Sequence, residues 1–149
     1  MQLSEFTNRL DDELRTEAYA DLDASANGLQ VESESETVDH VAFAVDAATA
    51  TVEAAVDAGA DVLVTHHVFC WGGMERLTDE HYRRIAPLVR NDVALYVSHL
   101  PLDGHQELGN AAGVGDVLGL RRRRPFGEVG PEVIGQRGLT SEPLSVAEV

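Results

Sequence analysis

Asp61-Val62-Leu63-Val64-Thr65-His66-His67 is a short apolar run closed by two imidazoles, and its reading decides the fold. Its apolar part, Val62-Leu63-Val64 within Ala60 to Thr65, is too short for a helix, is rich in β-branched residues, and reads as a buried strand. Upstream, Val41, Phe43 and Val45 alternate with smaller residues, which predicts a strand ending near Asp46. Ala47 to Ala58 between them reads as a helix, with Asp46 able to cap its start and Gly59 able to take the left-handed position after its end. Downstream, Thr78 opens a helix through Arg90, with Ile85, Leu88 and Val89 on its apolar face, and Val93 to Ser98 is a third apolar strand. Strand, helix, strand, helix, strand is the grammar of a parallel sheet with right-handed crossovers. The expected class is α/β: a layered helix–sheet–helix arrangement with a largely parallel central sheet, as one domain over residues 1–149.

The flanks are read outward from this centre. Leu3, Phe6, Leu10 and Leu14 recur at spacings of three and four, an amphipathic helix for which Ser4 is a suitable cap. A turn-prone stretch from Asp23 to Gly28 leads to a short strand at Leu29-Gln30-Val31, followed by an acidic, exposed loop from Glu32 to Thr37. Gln106 to Ala112 reads as a helix stopping at Gly113, and Arg121 to Gly138 as short strands with turns. Ser145 to Val149 reads as the first turn of a further helix. There is no internal repeat.

The formal charge of -15 comes from 26 Asp and Glu against 11 basic residues, every one of which is Arg. Self-repulsion on that scale opposes compaction unless salt screens it, and in molar salt the Debye length falls to about 3 Å. The chain therefore reads as the product of a salt-loving cell. Its acidity argues against nucleic acid as a main partner, since phosphate binding needs excess cation. The single Cys70 excludes an internal disulfide and suits a reducing cytosol. With no leader and no membrane-length apolar run, a soluble cytoplasmic protein is expected.

In open parallel sheets, ligands gather outside the carboxyl ends of the strands. Here three successive strands end in Asp46, in Thr65-His66-His67, and in His99, with Asp103 four residues on. Imidazole and carboxylate are ligands shared by Zn, Fe, Mn, Co and Ni, so His66, His67 and Asp103 are the expected metal ligands. Neighbouring strand side chains point to opposite sides, so the histidine pair suggests one ion each in a dinuclear centre. His99 is either a ligand or an orienter of one, and equally reads as an ordinary hydrogen-bonded histidine. Asp46 reads better as a helix cap than as a ligand. His40, His81 and His105 read as solvent-exposed, and Phe69, Cys70 and Trp71 as the lining of a pocket beside the histidine pair or, better, as ordinary core packing. The run Arg121 to Arg124 suits carboxylates across a subunit contact, a phosphate, or plain solvation. No Walker loop or Gly-x-Ser-x-Gly elbow occurs.

These residues resemble the Nif-three-like dinuclear metal-centre family, whose members are often called GTP cyclohydrolase I type 2 homologues. The resemblance runs through Asn27-Gly28-Leu29-Gln30-Val31, Val45-Asp46, Thr65-His66-His67, Ser98-His99-Leu100-Pro101-Leu102-Asp103, Asn110 and Glu142-Pro143-Leu144-Ser145. It implies that His66, His67 and Asp103 are N-terminal metal ligands, with two divalent ions per complete subunit. It further implies a homo-oligomer, commonly a hexameric ring, and a nucleotide or other small-molecule substrate. Val68 stands where the family usually has Pro. Family members also run longer and add a His-x-x-x-Glu pair near the C-terminus, so this chain is expected to be an N-terminal portion holding half a site, inactive alone. Two functions follow as expectations: a metal-dependent hydrolase that opens a purine ring, or a non-catalytic metal-handling or ring-forming adaptor.

Overall fold

The computed structural model describes residues 1–145 and Ala147. Backbone contacts divide the chain into two compact units, Met1–His99 and Leu100–Val149.

The first unit is built on a four-stranded sheet in the order β1-β4-β3-β2, from β1 (Gly28–Val31), β2 (Val41–Asp46), β3 (Val62–His67) and β4 (Ala94–Val97). β2, β3 and β4 are parallel, and β1 closes the sheet antiparallel to β4. α2 (Thr49–Asp57) and α3 (Asp79–Arg90) are the crossovers between the parallel strands. Strand alternation sorts the sheet into two faces. Leu63, Leu95 and Val97 join Val52, Ala55 and Leu88 of α2 and α3 in one core. Val62, Ala94 and Tyr96 face the other way, against Leu3, Phe6 and Leu10 of α1 (Leu3–Leu14). The expected mixed α/β class with a largely parallel sheet is therefore present.

Several local expectations need correcting. Ser4 lies inside α1 and is not its cap; Gln2 holds that position, without a side-chain bond. The period of β2 is right, but the small residues are the ones that pack. Ala42 and Ala44 meet the α2–α3 core, while Phe43 is 73% and Val45 66% exposed. Val41 alone of that face reaches the α1 cluster. On α3, Ile85 and Leu88 are buried but Val89 is exposed. Gly59 does take a left-handed conformation, with φ 68° after α2.

The second unit contains α4 (Leu100–Gly104), α5 (Asn110–Val117) and a two-stranded antiparallel hairpin of β5 (Arg121–Val129) and β6 (Glu132–Leu139). The helix expected over Gln106–Ala112 is displaced: α5 starts at Asn110 and runs through Gly113, whose helical backbone leaves open space where a side chain would stand. One long hairpin replaces the expected short strands, turning at Val129–Glu132. Of the helical turn expected at residues 145–149, residues 146, 148 and 149 lie outside the described ones. Among the described residues, no helix is long and apolar enough to cross a membrane.

Candidate metal centre

Register aligns the strand ends that carry the polar residues. Asp46 of β2 pairs with His67 of β3, and Thr65 of β3 pairs with Val97 of β4, so His66-His67 and Ser98-His99 emerge along one edge. Because β1 is antiparallel, its first residue Gly28 pairs with Val97 and brings the Asp23–Asn27 turn to that edge too.

The imidazoles of His66, His67 and His99 form a cluster, with ring centroids 4.6, 5.1 and 5.9 Å apart. Their nitrogens include one set lying within 4.8 Å of one another. Among the described residues, this is the one group of three His, Cys, Asp or Glu side chains so arranged. The pair does not splay as an extended strand implies. β3 ends at His67, and the His66 ring turns toward β4, where its Nδ1 lies 3.0 Å from the Ser98 carbonyl oxygen.

The hydrogen bonds fix which nitrogen is offered. A carbonyl oxygen only accepts, so His66 donates through Nδ1 and leaves Nε2 with its lone pair. His99 Nδ1 lies 3.0 and 3.1 Å from the two carboxylate oxygens of Asp23, so Nδ1 is the donor there as well. The Asp23 side chain is only 2% exposed and that of His99 21%. Asp23 also accepts from the Ser25 backbone N–H at 2.9 Å and from Asn27 Nδ2 at 2.9 Å, while Asn27 Oδ1 accepts from the His99 N–H at 2.7 Å. A histidine whose second nitrogen is tied to a carboxylate or carbonyl is the usual partner arrangement of a metal-ligating imidazole. By donor chemistry, the set fits a Zn-, Fe-, Mn-, Co- or Ni-type ion.

Other expected residues fall elsewhere. Asp103 lies in α4 of the second unit, where its Oδ1 accepts from Asn110 Nδ2 at 2.7 Å. Asp46 Oδ1 accepts from the Ala48 N–H at 3.0 Å and the Thr51 hydroxyl at 3.2 Å; Ala48, not Asp46, is the N-cap of α2, so the expected cap is two residues too early. His40 is exposed, but His81 and His105 are half-buried, against expectation. His81 packs edge-on to Phe69, and His105 Nδ1 accepts from the Leu108 N–H at 3.0 Å. Phe69 packs on the α2–α3 core, but Trp71 is 52% exposed and stands edge-on to His99, with centroids 4.9 Å apart. Cys70 is half-buried, its thiol 2.9 Å from the Gly73 carbonyl.

Sequence reading missed Asp23, and for Trp71 it preferred core packing over the pocket-lining alternative. Asp23 lies 76 positions before His99, and no local spacing announces such a pair. The Asp23-to-Asn27 interval is the one local signal, since a short polar turn of this kind holds its own backbone.

Comparison with known proteins agrees with this fold. The family model for Duf34/NIF3 (NGG1p interacting factor 3) matches residues 1–149. A Halobacterium salinarum protein named GTP cyclohydrolase 1 type 2 homolog is 53% identical over 145 residues, covering 97% of this chain and 56% of its own. A relative of the same name from Archaeoglobus fulgidus is 42% identical over 149 residues, 100% of this chain and 60% of its own. A crystal structure from Thermus thermophilus superposes with a TM-score of 0.80 at 38% identity, over 85% of this chain and 52% of that one. The chain thus spans about half the length of the curated relatives it matches. On the matched length and these identities, the chain belongs to the DUF34/NIF3 family.

Proposed function

We propose that this chain supplies the N-terminal part of a divalent-metal centre, with His66 and His67 as ligands and His99 beside them as a third donor. Asp103 enters as the carboxylate ligand on its sequence position and the family resemblance alone. The observation that carries the reading is the commitment of two of the three clustered imidazoles, through Nδ1, to Ser98 and Asp23. That commitment holds each ring in place from its Nδ1 side, so little ordering is needed when an ion arrives. A bound ion of this class acts as a Lewis acid toward an electrophilic carbon or phosphorus. His66 and His99 are held through Nδ1, Asp23 keeps His99 in place, and the Trp71 ring packs edge-on against His99.

For the whole protein, the name carried by the relatives makes metal-dependent hydrolysis of GTP the first reaction to assay, and a ring of identical subunits with two ions each the expected assembly. The discriminating experiment is elemental analysis of protein purified without chelator, for wild type and the double variant His66→Ala, His67→Ala. The wild type is expected to retain a divalent metal and the variant to lose it. Full metal content in the variant would sink the assignment. A GTP assay with added Mn or Zn then separates the hydrolase from a non-catalytic metal carrier.

A further inference from the structure

The second unit concentrates positive charge in a chain that otherwise carries little. Arg121, Arg122, Arg123, Arg124 and Arg137 all lie on the β5–β6 hairpin. Arg123 is spoken for: it bonds the Ala112 carbonyl at 3.0 Å and Asp116 Oδ1 at 2.5 Å, and it lies over Gly115 of α5, where an added Cβ would come within 3.0 Å of Nη1. Arg121, Arg122, Arg124 and Arg137 have no hydrogen bond or ion pair to a carboxylate among the described residues. In a chain with 26 acidic side chains, that is a surplus of unused partners.

Two features show that the cluster works against the hairpin's own stability. Arg124 and Arg137 are direct cross-strand partners, a like-charge pairing that weakens a ladder. The ladder also breaks register between Arg121 and Arg124, and Arg122 sits there with φ 53°, a conformation uncommon for a residue with a Cβ. Repulsion and backbone strain at one spot, unrelieved within the fold, mark a place that something else completes.

Arg122, Arg123, Arg124, Arg137, Gly138 and Leu139 line a groove of about 560 Å³ there. That is the size of a small-ligand site. Several guanidinium forks in one groove match the oxygens of phosphate groups, which they grip in pairs. The lining contains no aromatic ring on which a base could stack. An extended nucleic acid would meet the field of a chain at -15, whereas a compact anion needs only the groove. We propose that this groove binds the phosphate chain of a small di- or triphosphate, through Arg122, Arg124 and Arg137, with Arg123 fixing the hairpin to α5. The proposal is independent of the metal centre.

The test is calorimetric titration of inorganic pyrophosphate, tripolyphosphate and ATP into the protein in metal-free buffer with chelator, beside the variant Arg124→Gln, Arg137→Gln. Wild type should bind, and the variant should bind about tenfold more weakly or worse, since charged hydrogen bonds are removed. The variant loses a like-charge pair, so without ligand it should melt no lower than wild type, and pyrophosphate should no longer raise its melting temperature. Tripolyphosphate binding at least as tightly as ATP would assign a free inorganic chain. Tighter ATP binding that still needs both arginines would assign a nucleotide's phosphate tail. No binding to wild type, or equal binding to the variant, overturns the proposal. So does self-association that the substitutions abolish without any phosphate binding, which would assign the arginines to a contact between copies.

Discussion

Asp23 and His99 are joined by a carboxylate–imidazole contact in which both carboxylate oxygens lie within 3.1 Å of Nδ1, and the acid is almost wholly buried. It ties the turn before β1 to the residue after β4, so the antiparallel edge strand is part of the site's support. Asp23→Asn keeps the shape and removes the charge. It is expected to lower metal affinity about 10- to 100-fold, the usual effect of losing an outer-shell partner. Asp23→Ala should in addition cost about 1–3 kcal/mol of stability, because the Ser25 N–H and the Asn27 amide lose their acceptor. Titration with Mn or Zn beside urea denaturation separates the two effects, and unchanged affinity in Asp23→Asn would remove the orienting role.

Tyr96 is fully buried beneath α1, with its hydroxyl donating to Asp11 Oδ1 at 2.7 Å and 3.3 Å from the Thr16 hydroxyl. Burial is the main reason its phenol is held above the ordinary value of 10.0. A raised folded-state value favours the neutral form, so this contribution is complete below pH 10.0 and is lost as pH rises further. Tyr96→Phe should lose about 1.5–3 kcal/mol at neutral pH with the charge-assisted bond. It should also fall off less steeply than wild type in alkali. Melting curves at neutral pH and above pH 10.0 check both.

Asp61 titrates in the opposite sense. The His40 N–H, and then the Asp39 N–H, both 2.8 Å from Oδ2, hold its carboxyl below the usual 3.8. A depressed folded-state value stabilises above pH 3.8 and is lost as pH falls below it. The group is close to solvent, so Asp61→Asn should cost only about 0.5–1 kcal/mol near neutrality. That difference should shrink toward zero in acid. A constant difference across the range would mean that packing, not charge, is what the substitution removes.

The legible parts of this molecule are those where one local rule decides. β3 is apolar on both faces and bounded by polar residues, and α1 shows its stripe, so both were readable. The edge carrying His66, His67 and His99 follows from parallel topology alone. What stayed hidden depends on distant partners. Which side of β2 is covered is one such case: period cannot tell which face a neighbour covers, and α1 reaches only Val41, leaving Phe43 and Val45 exposed. Trp71 read as core because apolar character is the same beside a histidine cluster as within a protein interior. The helix through Gly113 defied the rule that glycine ends helices, since that rule needs a left-handed residue and Gly113 remains helical.

Salt should decide whether the first unit stays folded. Residues 1–99 carry 19 acidic side chains against 6 arginines, so most of the chain's net charge falls on one unit. Glu32, Glu34 and Glu36 crowd one exposed loop, which joins β1 to β2 and is tied to Asp92 only through the backbone N–H groups of Glu34 and Ser35. At low ionic strength, the Debye length grows to about 30 Å and every one of these charges repels the rest across the unit. In molar salt, only neighbours interact. The melting temperature, followed by circular dichroism, is therefore expected to fall steadily on dialysis from molar to millimolar potassium chloride. Sucrose at equal osmolality should not restore it, because exclusion from the surface is not screening. The triple variant Glu32→Gln, Glu34→Gln, Glu36→Gln should shift the salt midpoint of unfolding downward while leaving the spectrum in molar salt unchanged. A melting temperature indifferent to salt, or rescue by sucrose alone, would show that charge repulsion is not what limits this fold.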